Sequence, residues 1–371
     1  MIFINKNFIL KSEFFGFLFG ILLVVAQINI VYGLPFVLFS LILLSKRIAL
    51  DDKNDRQLFF LLALQLIWFI LMYVFFPVNF THWIRHFAFF LIILTVIISK
   101  VDFNFIVGVC FSLIILFLLD FSFNLITIFT GEDPLGRSSI LRPDDIVQRL
   151  GGIFGHSFFS MNISFIGFVS AYIKRNKSVM ILSIINIILI GTLRGFILLV
   201  MLLIAFYFIK KGISFLKIKI YSFLFILSVF AVTVYTVTLN FSESNLYRVY
   251  AWINSIDNIA KNPYFGRQDF NKDPIEIISF DNIADYGITE SQYLEIAVHY
   301  GIFPFILFLI IMILMFRKSY DTFTSSNKII LISGFIIFTD SFYGSIYGMP
   351  LTTVFFTLLI FSTKIKINKA S

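Results

Sequence analysis

The chain has 371 residues, 59% of them hydrophobic, with 51 Phe and only 13% charged. A soluble domain of that length saturates its core well before it needs so much apolar surface, so a soluble globular fold is excluded. The formal charge of +8 would suit nucleic acid, but most Lys and Arg stand in short connections between apolar runs, which membrane topology alone explains; no nucleic-acid partner is expected.

The class that remains is a polytopic helical membrane protein. A crossing helix needs about 20 mostly apolar residues, and the charges divide the chain into runs of roughly that length. Taken in order, spans are expected at roughly 13–31, 33–45, 57–76, 83–99, 103–128, 156–173, 178–193, 195–209, 220–239, 298–316, 328–344 and 350–363. The fold class is therefore all-α, one membrane domain over 1–371 with about 12 transmembrane helices and one large extracytoplasmic loop. The first run begins after Lys11 and has no small-residue cleavage pattern near its end, so it reads as a retained span. The single cysteine, Cys110, lies inside an apolar run. A disulfide within the chain and a cysteine-rich metal site are both excluded.

The connections alternate in charge. Lys6, Lys11, Lys46, Arg47, Lys53, Arg56, Lys100, Lys174, Arg175 and Lys177 fall on one side. Lys210, Lys211, Lys217, Lys219, Arg317, Lys318, Lys328, Lys364, Lys366 and Lys369 join them. That side is the cytoplasm, and it holds both termini. The other side keeps Arg85, Arg137, Arg142, Arg149, Arg194, Arg248, Arg267, Lys261 and Lys272. Seven of the eleven arginines are outside, against two of the eighteen lysines. The topology rule treats the two alike, whereas only Arg offers a planar fork that grips phosphate or carboxylate with two parallel hydrogen bonds. The plainer account pairs these arginines with outer Asp and Glu. It fits Arg194 least, because Arg194 has no acidic neighbour in sequence.

Three outer segments carry the polar chemistry. The loop 129–155 leads from Arg142 and Arg149 through Gly151, Gly152 and Gly155 to His156. Glycines let a backbone approach a ligand, or simply turn a chain into a helix. A histidine at a membrane boundary more often bonds at the interface than acts as a base. The tight hairpin 191–196 puts Arg194 at its tip, where an arginine also snorkels to headgroups. The large loop 240–297 opens with a helix whose Val249, Trp252, Ile253, Ile256 and Ile259 form a one-sided apolar stripe. Asn262-Pro263 ends that helix and Gly266 permits a turn. Thr289 followed by Gln292 reads as a capping box for a second helix. Asp120 lies near the outer end of its span, and no chain of intramembrane carboxylates of the kind ion carriers use is present. There is no phosphate-binding glycine loop, dinucleotide fingerprint or His-Glu-x-x-His helix. Asp144-Asp145 follows a proline, which favours a solvated turn over a metal site.

The order of these pieces resembles a family. The stretch R-x-x-G-x-F-G-H (149–156) is followed by Thr192-Leu193-Arg194-Gly195, then by YRVYAW (247–252), NPYFG (262–266) and ESQYLEIAVHYGIFPFILF (290–308). This arrangement is similar to the bacterial O-antigen polymerase and O-antigen ligase superfamily of integral-membrane glycosyltransferases, which have about a dozen spans and one large periplasmic loop. The resemblance implies a metal-independent, inverting transfer of a glycan from undecaprenyl pyrophosphate to a sugar hydroxyl at the outer leaflet, with no cofactor. It implies that Arg194 and Arg248 grip the pyrophosphate. In the ligases a histidine near the close of the loop, just before the aromatic of SQYL, is the candidate base. Here that place holds Glu290; His299, nine residues on, does not fit the motif.

That departure favours a polymerase of O-antigen or capsule over a ligase. Glu290, Arg194 and Arg248 are the expected catalytic residues, and Arg142, Arg149, His156, Arg267 and Tyr293 the expected substrate contacts. The chemistry agrees: pyrophosphate leaves well once fixed cations neutralise it, and a neutral hydroxyl is helped by a base. Glu290 has a rival role at a helix start, complementing the dipole. The expected partners are undecaprenyl-pyrophosphate-linked oligosaccharides, membrane lipid, and the chain-length regulator and flippase of the same pathway. The expected location is the bacterial cytoplasmic membrane. A carrier or flippase would show paired repeats, broken midplane helices and charges along a path, and neither repeats nor midplane charges stand in the sequence.

Overall fold

The computed structural model describes residues 12–22, 53–76, 80–98, 103–132, 134, 150–154, 157–192, 195–196, 199–200, 202–203, 207, 252–253, 255–266 and 292–321. Among these residues every regular element is helical. In chain order they are α1 (Ser12–Leu22), α2 (Lys53–Phe75), α3 (Phe80–Ile98), α4 (Phe103–Thr130), a 3-10 turn (Gly152–Phe154), α5 (Ser157–Ile173), α6 (Lys177–Ile190), α7 (Gln292–Tyr300) and α8 (Ile302–Asp321). Residues 255–261 are helical as well. The expected spans at 33–45, 220–239, 328–344 and 350–363 lie outside the described residues.

Length and composition make α2 and α4 long and apolar enough to cross a bilayer. At 28 residues α4 extends about 42 Å, more than the ~30 Å hydrocarbon layer. The outward surface is as apolar as the interior. Phe60, Ile67, Ile70 and Val74 on α2 are exposed, as are Phe111, Leu119, Ile126 and Phe129 on α4 and Ile306, Ile310 and Ile313 on α8. Water would not tolerate faces of that extent, whereas lipid does. By contrast α3 from Phe89 to Ile97 and α5 from Met161 to Ala171 are buried on every face, and they form the centre.

Packing falls into two groups. In one, α5 lies between α4 and α6, with the 3-10 turn against α4 and α5. In the other, α2 lies between α3 and α8, with α7 on α8. The two share one continuous hydrophobic core. Where α1 crosses α4 the helices touch through small residues. A Cβ at Gly16 would overlap the Phe105 carbonyl, one at Gly20 the Ser112 hydroxyl, and one at Gly108 the Glu13 carbonyl. Gly16 and Gly20 are four apart, as are Gly108 and Ser112. This spacing puts each pair on one face and lets the backbones meet.

Local signals explain the ends of α6. Asn176 caps its start by accepting from Val179 N–H at 3.2 Å, and Gly191 closes it in the left-handed region at φ 69°. One expectation is corrected. The run 298–316 is not one span: it breaks at Gly301, whose φ of 89° no helix allows. Tyr264's carbonyl lies where a Cβ on Gly301 would stand. The apolar stripe at 252–259 is divided between settings, with Trp252 and Ile259 half-buried. Ile253 and Ile256 are 57% and 58% exposed, while Ser255 and Asn258 are buried.

Candidate functional site

Of the residues expected to act, Arg142, Arg149, His156, Arg194, Arg248, Arg267 and Glu290 lie outside the described residues. Tyr293 falls in the first turn of α7, and its side chain is likewise outside them. What the structure describes is the framework beside each one: the turn after Arg149, the hairpin around Arg194, the NPYFG turn before Arg267, and the helices that follow Glu290.

The first frame is a buried polar network. Asp120 and Asn124 lie one turn apart on the same face of α4 and are fully buried. Ile153 N–H donates to Asp120 Oδ1 at 3.0 Å. Ser160 Oγ donates to Asp120 Oδ2 at 2.5 Å, and Asn186 Nδ2 to the same oxygen at 3.4 Å. Gly152 N–H donates to Asn124 Oδ1 at 2.9 Å. Asn124 Nδ2 in turn donates to Ser160 Oγ at 2.8 Å and to Asn186 Oδ1 at 3.0 Å. Asn186 Nδ2 also reaches Ser164 Oγ at 2.9 Å. A carboxylate this deep among apolar helices is tolerable because it receives three donors. The network ties α4, α5 and α6 to the turn Gly152–Phe154.

At the hairpin, Gly191 leaves α6 and Thr192 starts the next helical residues. Thr192 Oγ1 accepts from Gly195 N–H at 3.1 Å and donates to Met161 Sδ at 3.7 Å. A hydroxyl accepting the amide three residues on is the capping bond that opens a helix. Arg194 stands between those two residues in sequence.

The third frame joins the NPYFG turn of the large loop to the chain just after the loop. Asn262 N–H still bonds Asn258 O at 3.1 Å, and Gly266 N–H bonds Asn262 O at 3.0 Å, so the NPYFG turn closes on itself. Ile302 N–H donates to Pro263 O at 2.8 Å, across the break between α7 and α8. Gly266 (φ 69°) admits the backbone of Val298 and His299 where a Cβ would sit. Phe265 stacks on Trp68 with ring centroids 6.2 Å apart and lies 5.3 Å from the ring of Phe76. Trp68 Nε1 donates to Tyr300 O at 3.2 Å. The NPYFG turn and the break after α7 are thus held together against α2. Lys261, one of the outer lysines, pairs with Asp257 at 2.6 Å on the exposed side, where such a pair contributes little.

Beneath the clamp lies a buried acid–imidazole–phenol group. His86 on α3 and Glu295 and Tyr300 on α7 are each almost fully buried. Tyr300 Oη lies 3.2 Å from His86 Nδ1, and His86 Nε2 lies 3.9 Å from Glu295 Oε1. With the phenol donating, Nδ1 accepts and the ring proton sits on Nε2, facing the carboxylate. The Phe69 ring packs edge-on against Tyr300 at 4.5 Å and closes this group from below. His299 is buried too.

Sequence reasoning passed over Asn124, Asn186, Ser160, His86 and Glu295. A signal existed. Asp120 and Asn124, and Ser160 and Ser164, repeat at four residues within apolar runs, which puts polar groups on one inward face.

Among the described residues every regular element is helical, and two helices are long and apolar enough to cross a bilayer. Residues 178–309 match the family model described as O-antigen ligase. The match spans α6, the hairpin, the NPYFG turn, α7 and the start of α8, and it supports the O-antigen polymerase and ligase superfamily, whose members are glycosyltransferase-like enzymes. No curated protein matches the chain.

Proposed function

We propose that the protein is a polysaccharide polymerase of the bacterial cytoplasmic membrane. It joins undecaprenyl-pyrophosphate-linked repeat units of O-antigen or capsule at the outer face. The family match over 178–309 supports a glycan transferase of this superfamily, and Glu290 in the place of the ligases' histidine favours the polymerase. In the transfer, an acceptor hydroxyl oxygen attacks the anomeric carbon of the donor from the face opposite the pyrophosphate. The new glycosidic C–O bond forms as the bond to pyrophosphate breaks, with inversion. The hydroxyl proton passes to Glu290, and the charge left on the lipid pyrophosphate is held by Arg194 and Arg248. Arg142, Arg149, His156, Arg267 and Tyr293 contact the donor or the acceptor.

A ligase that moves finished glycan to lipid A-core is the second reading, and the description of the matching family favours it. Against it stands Glu290 where the ligases resembled here carry histidine. The glycan profile of a deletion strain separates the two. Single repeat units on the core mean polymerase, and full complementation by the intact gene attributes them to this chain. A bare core with stored lipid-linked polymer means ligase, and unchanged glycans would reject both.

A further inference from the structure

We propose that Asp120 and Asn124 are positioning residues for donor binding: they hold the Gly152–Ile153 turn, which in sequence stands between Arg149 and His156. This rests on the reading of the chain as a transferase of a lipid-pyrophosphate donor. It adds a part of the site that the family match, confined to 178–309, does not contain.

Two successive backbone N–H groups, of Gly152 and Ile153, point into the bundle and would be costly there without acceptors. Asn124 takes one at 2.9 Å and Asp120 the other at 3.0 Å. Side chains one helical turn apart on α4 thus receive neighbouring amides of the turn. Gly152 is the first glycine of R-x-x-G-x-F-G-H, and its φ is 56°. A Cβ there would overlap Asp120 Oδ1, so only glycine lets the turn lie directly on the carboxylate. The other oxygen of Asp120 is occupied by Ser160 and Asn186, so the carboxylate cannot move without disturbing α5 and α6. Arg149 and His156 each stand three residues from this turn in sequence. A hydroxyl or amide would bridge three helices at lower desolvation cost. A carboxylate is the stronger acceptor for a backbone N–H that must not let go.

The test uses the purified full chain, farnesyl pyrophosphate as a soluble prenyl-pyrophosphate probe, and hydrogen exchange in the peptide covering 150–156. Asp120→Ala should speed exchange at Ile153 about ten- to a hundredfold, the effect of losing a hydrogen bond to a charged group. It should weaken probe binding about tenfold, with the protein still folded. Gly152→Ala should do the same, and the double variant should be no worse than the poorer single, because both remove one contact. Asp120→Asn keeps an acceptor for Ile153 N–H and should retain most of the binding, which a loss of general stability would not reproduce. If Asp120→Ala fails to accumulate, Asp120→Asn and Gly152→Ala decide the matter. Binding lost in Arg194→Ala but unchanged in Asp120→Ala and Gly152→Ala would overturn the positioning role alone. Binding unchanged in Arg194→Ala and Arg248→Ala would overturn the donor reading beneath it.

Discussion

The indole N–H of Trp68 bonds the backbone carbonyl of Tyr300 at 3.2 Å, across 232 positions of sequence. The same ring stacks on Phe265 and lies 5.0 Å from Phe303, so one side chain of α2 meets the NPYFG turn, the end of α7 and the start of α8. Trp68→Phe keeps much of the ring and loses the donor. It should lower stability by about 0.5–1.5 kcal/mol, read as a lower denaturation midpoint of the detergent-solubilised protein. A midpoint equal to that of the parent would show that the bond contributes nothing.

Glycines with positive φ separate backbone strain from crowding. Gly131 (φ 73°) has open space where a Cβ would stand, whereas at Gly301 (φ 89°) the carbonyl of Tyr264 fills that space. Gly131→Ala should cost only the left-handed penalty of about 1–2 kcal/mol. Gly301→Ala should cost clearly more and free the NPYFG turn, seen as protease cleavage between 262 and 302 at temperatures where Gly131→Ala resists. Equal midpoints for the two would contradict the contact.

His86 and Glu295 share a buried setting, and removing one partner leaves the other among apolar rings. His86→Phe should cost on the order of 3 kcal/mol. His86→Phe with Glu295→Leu should recover a part of that loss, because two apolar side chains need no partners. The double-variant cycle measures the coupling directly, and strict additivity would mean the 3.9 Å approach carries no interaction.

For the arginines, Arg194→Lys and Arg248→Lys retain charge and lose the fork. Each should reduce polymer formation about 10- to 100-fold at equal protein level. Full-length polymer from both lysine variants would show that no two-bond grip operates there.

At Glu290 the two roles predict different sizes of effect. As a base, Glu290→Gln should slow transfer on the order of 10²–10⁴-fold. As a charge at a helix start, its loss should cost only about 0.3–1 kcal/mol of local stability. Glu290→His should restore part of the activity that Gln removes. Near-normal chain length with Gln would end the base assignment.

The helices bounded by charge were legible in the sequence. The run expected at 103–128 is the helix Phe103–Thr130, and that at 57–76 is Lys53–Phe75, because a long apolar run between charged residues has one stable form in lipid. The break at Gly301 was not legible, since Val298–Phe316 is apolar on both sides of it and residues 262–266 lie against the turn. Nor was the outward facing of Ile253 and Ile256. Periodicity finds a stripe, but it does not say which neighbour the stripe packs against. Of the candidate site, the motif glycines were readable as close approaches. The Asp120–Asn124 network was not, because its partners come from three separate helices.

The crossing of α1 and α4 has a consequence for biogenesis. The face of α1 that carries Gly16 and Gly20 meets Phe105, Val109 and Ser112, which the ribosome delivers after both α2 and α3. Until then α1 waits in the bilayer with a groove that lipid fills poorly. Once the crossing forms, ridges and hollows repeat every four residues on both partners, so α1 cannot slide along α4 without climbing over a side chain. The register of α1 is therefore set only when α4 follows it.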